Sequence, residues 1–227
     1  MVLTSTLEVD VRGRPSRISS RRTTLPVDGR VLPYVLRNPI MVPSTAMVRT
    51  AVAREVGGFD ETLRTAEDYK FHLEVARRHA IAVIERPLVF FTDHPSGLSA
   101  GVRSYHDQLK VVEQFVAAHA RQIERRDRSA ALFRAHMRSA LGIAYHGQLA
   151  VVLLHLAVGA RHLRDPRDVP HAGRVAFRVA RVLAAQCTHQ LRDLALRRAH
   201  DARATAAPAA PQRTDDAHEL VAIAASG

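Results

Sequence analysis

The chain has 227 residues, 47 % of them apolar, enough for one sizeable domain, or a small domain with an appendage, around a hydrophobic core. A single cysteine, Cys187, excludes an intramolecular disulfide framework and most cysteine metal sites; it reads as a small buried thiol in a reducing compartment. The formal net charge of +11 is concentrated late, since residues 38–100 hold seven Lys/Arg against eight Asp/Glu and residues 101–207 hold eighteen against eight. Such a basic stretch can attract nucleic acid, anionic lipid or a polyanionic acceptor, although two lysines among so many arginines in an Ala-rich chain also fit a genome-wide codon bias.

Residues 1–10 alternate weakly, with Val2, Leu7 and Val9 apolar, and run into Arg12-Gly-Arg-Pro15. That is the pattern of a strand or hairpin arm followed by a turn. Residues 16–27 are polar and Arg-rich and are expected to form a mobile loop. Residues 32–36 open a helical or irregular stretch leading to Asn38-Pro39. Residues 40–49 then read as a strand, and residues 50–56 as a short helix that Gly57-Gly58 stops with a left-handed C-cap. Residues 65–79 form a second helix. Residues 80–84 and 88–91 are apolar, β-branched or aromatic and read as two short strands separated at Pro87.

After Ser99 the periodicity becomes helical over residues 103–127, 129–161 and 174–200, with breaks at Asp165-Pro166 and at 170–173. The most membrane-like run, residues 140–160, is interrupted by His146, Gln148, His155 and three glycines, so a buried helix is expected rather than a span. Residues 202–227 are Ala/Pro-rich and read as a disordered tail. The first residues are too short and polar for a secretory signal, which points to a cytoplasmic location.

Three runs carry the chemistry: Glu55-Val-Gly-Gly-Phe-Asp60, Ala66-Glu-Asp-Tyr69 and Glu85-Arg-Pro-Leu88. Together they resemble the acceptor-side half of family 2 glycosyltransferases of the GT-A fold, which join a nucleotide-activated sugar to an acceptor hydroxyl. The resemblance covers residues 1–100. It implies an α/β fold, a truncated GT-A-like mixed sheet with an acceptor helix, followed by an α-helical C-terminal extension over 101–201 and the tail from 202. Val9-Asp-Val-Arg-Gly-Arg14 is similar to the turn that follows the family's donor site. The family's paired Asp-x-Asp occurs nowhere in this sequence, so Met1 is expected to be an internal or post-disruption start, with the donor half encoded upstream.

Asp68 takes the role of catalytic base by this resemblance, and Glu67 that of orienting Asp68 or the acceptor. At the positive end of a helix dipole both carboxylates are expected to be held ionised. The same residues also fit a purely structural role, because Thr65-x-x-Asp68 is close to a capping box. Arg49, His94 and Ser99 stand at positions where relatives approach acceptor or phosphate; for Arg49 and His94 a solvated side chain is the alternative. The intact family fold implies a divalent metal, Mg or Mn, which His94 alone could approach here. Glu8-Val-Asp10 has paired-acid spacing but lacks the donor-site context.

Phe59 is expected in the core and Asp60 as the cap of the next turn. The thirteen histidines show no zinc spacing and read as scattered, interfacial or exposed. The partners implied are a nucleotide sugar and a glycan or lipid-linked acceptor, as in the assembly of cell-envelope polysaccharide, with little activity expected from an acceptor half alone. The rival is a non-enzymatic basic helical module bound peripherally to an anionic membrane, at its inner face, or to nucleic acid. Sparse aromatics make a specific nucleic-acid partner the weaker version of that rival.

Overall fold

The computed structural model describes residues 1–10, 12–19, 31–39, 43–92, 97 and 101–206. Four strands and seven α-helices occur among them. The strands are β1 (Val2–Val9), β2 (Pro15–Ser19), β3 (Ala46–Met47) and β4 (Ala82–Thr92). The helices are α1 (Leu32–Arg37), α2 (Thr50–Glu55), α3 (Glu67–Arg78), α4 (Val102–Ala118), α5 (Arg125–Ala144), α6 (Leu149–Arg161) and α7 (Val169–Ala206). The chain divides into a compact unit over Met1–Ala184 and a second over Ala185–Gly227, within which α7 continues to Ala206.

The architecture is mixed α/β. β1 is the hub of the sheet: β4 runs parallel along it from Val2 to Val9, while β2 pairs antiparallel with Thr6–Val9 and β3 antiparallel with Val2–Leu3. The expected turn at Asp10–Arg14 closes the β1–β2 hairpin. Asp10 accepts from the Arg12 and Arg14 amides at 2.8 and 2.9 Å, and Gly13 takes the positive φ of 76° that the turn needs. The mobile loop expected over residues 16–27 is corrected in its first part, since Pro15–Ser19 is strand; residues 20–30 lie outside the described residues.

Two strand expectations are corrected. The strand expected over 40–49 shrinks to the two residues of β3, because Pro43–Thr45 coils into a 3-10 turn; residues 40–42 lie outside the described residues. The two strands expected around Pro87 are one. β4 continues through it because the ladder slips between Thr4 and Thr6 of β1, and a proline lacking an N–H fits such an irregularity.

The main core gathers helices around the start of β1 and the residue before β4. Leu3 and Ile81 meet Val31, Val35 and Leu36 beside α1, Tyr69, Leu73 and Val75 of α3, and Leu109, Val112, Phe115 and Val116 of α4, nearly all of them less than 8 % exposed. Tyr69 sends its hydroxyl to the Val35 and Leu36 carbonyls at 3.0 Å each, satisfying acceptors at the end of α1, and burial pushes its pKa up to about 12. A second cluster joins α5, α6 and α7 through Phe133, Met137, Ile143, Val152, Val175 and Val179.

Two or three helices were expected after Ser99, and the described residues form four. The first stops at Ala118, the second is cut by the turn Tyr145–Gly147, where Gly147 has φ 72°, and α7 starts at Val169. The expected break at Asp165-Pro166 is real, since Asp165 caps a 3-10 turn over Pro166–Asp168. The expected break at 170–173 is absent because a proline in the first helical turn removes no intrahelical bond. Arg126 and Arg134 of α5 clamp the intervening segment through Asp165 at 2.6 Å and Asp168 at 2.5 Å. Cys187, expected to be buried, is exposed.

Where α4 crosses α5, a methyl group on Gly142 would overlap the Tyr105 ring. Gly142→Ala is therefore expected to destabilise the unit by about 1–3 kcal/mol through overpacking, even though alanine is the better helix former. A melting temperature equal to or above the parent's would show that Tyr105 yields freely.

The histidines are less scattered than expected. His72, His136 and His155 are buried, and His136 faces His155 with Nδ1 atoms 3.1 Å apart, a spacing at which one ring donates and the other accepts. Burial lowers the pKa of His72 to about 3; burial, together with the neighbouring His155 and His162, lowers that of His136 to about 4. In the unfolded chain such groups bind protons from about 6.5 downward, while in the folded chain they do not, so stability is complete above 6.5 and falls as pH drops towards these lower values. Between pH 6.5 and 5 His72 alone is expected to cost about 2 kcal/mol. Urea midpoints for the parent and His72→Leu at the two pH values check this: the variant should lose less stability on acidification, and equal losses would exclude His72 as the source.

Candidate functional site

The approach to the Glu67-Asp68 pair is built from α2 onwards. Gly57 and Gly58, with φ of 90° and 70°, end α2 as expected: Gly58 N–H donates to the Ala53 carbonyl at 2.9 Å and Gly57 N–H to that of Arg54 at 3.1 Å, a Schellman closure. Asp60 then caps its turn by accepting from the Thr62 amide at 3.0 Å and its hydroxyl at 2.6 Å. Its other carboxylate oxygen meets Lys70 of α3, and these bonds hold the Asp60 carboxyl well below the usual carboxylate range. Phe59, expected in the core, is 55 % exposed and instead lies on the Phe71 ring, centroids 4.9 Å apart.

Glu67 and Asp68 open α3. The residue before them, Ala66, has φ 64° and ψ 13°, the left-handed conformation that a residue with a Cβ rarely adopts, at a cost of roughly 1–3 kcal/mol. Thr65 is not the cap that its spacing suggests. Its hydroxyl donates at 2.6 Å to Asp107 of α4, no side chain caps α3, and Asp68 accepts from the Tyr69 amide at 2.7 Å. The capping-box expectation fails because the chain turns sharply at Ala66, and Thr65 points to a neighbouring helix instead.

The electrostatic expectation fails as well. Asp68 is half-buried, and the loss of solvation raises its pKa; the adjacent Glu67 charge pushes the same way, while the Tyr69 amide only partly offsets them. A helix N-terminus favours an anion by at most about 1–2 kcal/mol, and here burial is the larger effect. Asp68 is thus a carboxyl that gives up its proton reluctantly and, once ionised, is the stronger base.

Arg49 is not gathered with this pair. It precedes α2 just past β3, whose Met47 pairs with Val2, and its charge acts on the amino group of Met1, which donates to the Ala80 carbonyl at 3.2 Å. Ala80 follows the far end of α3, a 12-residue helix about 18 Å long, so Arg49 and Asp68 stand at opposite ends of it. His94 and Ser99 lie outside the described residues.

Among the described residues no three His, Cys, Asp or Glu side chains are grouped to hold a metal ion, and Asp10 is engaged with Arg12 and Arg14. A cleft of about 640 Å³ lies at the far end of α3, lined in part by Leu32, Leu36, Arg77, His79 and Asp127, and another of about 310 Å³ by Tyr34, Asn38, Pro39 and Arg138. Neither is lined by Glu67 or Asp68.

The left-handed turn at Ala66 and the pairing of Thr65 with Asp107 are what sequence reasoning missed. An alanine with positive φ has no sequence signal, and Asp107 lies 42 residues from the threonine that it accepts from. No family model, curated protein or solved structure matches the chain.

Proposed function

We propose that residues 1–100 form the acceptor-side half of an inverting nucleotide-sugar glycosyltransferase with a GT-A-like sheet, acting on a glycan or lipid-linked acceptor. Asp68 takes the proton of the acceptor hydroxyl as that oxygen attacks the anomeric carbon and the nucleoside diphosphate leaves with the bonding pair. Glu67 orients Asp68 or the acceptor. One observation supports this reading above the others: a half-buried carboxyl with a raised pKa sits directly behind a residue held in a strained backbone conformation, the combination that functional sites concentrate.

The test is transfer of a labelled sugar by the chain joined to a donor-binding half that supplies an Asp-x-Asp. Transfer that requires Asp68 supports the proposal. Tight calorimetric binding of a nucleotide sugar by the 227-residue chain by itself would contradict the assignment of donor binding to another segment.

A further inference from the structure

Helix α6 is apolar on two sides, and among the described residues one of them is packed and the other exposed. Val152, His155 and Gly159 face inward and are buried. On the opposite side Leu149, Leu153 and Leu154 are 50, 55 and 59 % exposed, and Ala157 is exposed between them and Arg161. The single buried helix expected over 140–160 is the end of α5 and α6, parted by the turn Tyr145–Gly147, and α6 is buried along one side. Leu154 and Arg161 are seven residues apart and share a face, so the apolar strip ends in a cation. No acidic residue occurs anywhere from Arg128 to Arg164.

We propose that the outer face of α6 docks flat on an anionic membrane surface, with Leu149, Leu153 and Leu154 entering the headgroup boundary and Arg161 and Arg164 meeting the lipid phosphates. Length decides the mode. At 13 residues α6 is about 20 Å long, short of the roughly 30 Å hydrocarbon layer, and no described helix is long and apolar enough to cross a membrane. An amphipathic contact in the plane of the interface remains, and it needs an apolar strip beside cations with no carboxylates to repel the lipid. The charge of this surface is complementary to anionic lipid, and the proposal is independent of the glycosyl-transfer reading.

Co-sedimentation of the full chain with phosphatidylcholine vesicles containing phosphatidylglycerol, and with phosphatidylcholine vesicles alone, tests it. Binding is expected on the anionic vesicles and should fall with added salt, since exposed charges are screened within about 10 Å at 0.1 M. Leu153→Ser with Leu154→Ser should weaken binding by about tenfold or more, and Arg161→Glu by about fivefold or more. Both variants should melt at the parent's temperature, because the side chains replaced are exposed. Three results would overturn the proposal: no sedimentation with anionic vesicles, equal binding to neutral and anionic vesicles, or full binding by the double serine variant. A dimer seen by light scattering and dispersed by the serine substitutions would give this face to a second copy instead, and would overturn it too.

Discussion

Asp68→Asn, in a version of the chain that carries a donor-binding half, is expected to lower sugar transfer by about 100- to 10,000-fold, the usual cost of losing a general base. The amide keeps the shape of the carboxyl and can still accept from the Tyr69 amide at 2.7 Å, so the opening of α3 should persist. It cannot take the acceptor proton. Burial already holds the Asp68 carboxyl partly towards its neutral form, so the uncharged substitute removes a solvation penalty rather than adding one. Thermal stability should therefore be unchanged or slightly higher while transfer collapses. In the parent, transfer should rise with pH as Asp68 ionises above the ordinary carboxylate range, and the variant should lack that limb. Transfer within about threefold of the parent would remove Asp68 from the reaction.

Phe133→Ala should have the largest effect on stability. Phe133 is 1 % exposed and belongs to the cluster that binds α5 to α6 and α7. Large-to-small replacements of buried aromatics cost about 3–5 kcal/mol, because the neighbours close only part of the space left behind. At roughly 2–4 °C per kcal/mol in a unit of this size, the melting temperature should fall by about 6–20 °C. Differential scanning calorimetry reads the shift directly. A drop of about 2 °C or less would mean that α5, α6 and α7 do not melt as one cooperative body.

Local signals in the sequence were reliable where short-range chemistry decides the structure. Gly57-Gly58, Asp60, the Asp10–Arg14 turn and the cap at Asp165 all act on residues within a few positions of themselves, and each does what its type predicts. The expectations that failed depend on distant partners. Pro87 stays within β4 because β4 bulges there against β1, a strand some 80 residues earlier. Thr65 does not cap α3: its hydroxyl is turned to donate to Asp107, on a helix far along the chain. Asp68 is less acidic than a helix start suggests, because the surrounding fold removes its water. The outer leucines of α6 could not be told from core leucines, since hydrophobicity alone does not say which of two apolar faces finds a neighbour.

The parallel pairing of β1 with β4 also sets a timetable for synthesis. At about 5–20 residues per second, the interval between the appearance of Val9 and of Thr92 is on the order of 4–16 s. During that interval β1 can close only its local hairpin with β2 and, later, its short contact with β3. The edge destined for β4 waits, with its backbone donors and acceptors open, until Thr92 has been made. A nascent chain paused before Ala82 should accordingly be far more sensitive to protease and more prone to self-association than one paused after α4, a difference that ribosome-arrested intermediates of the two lengths would reveal.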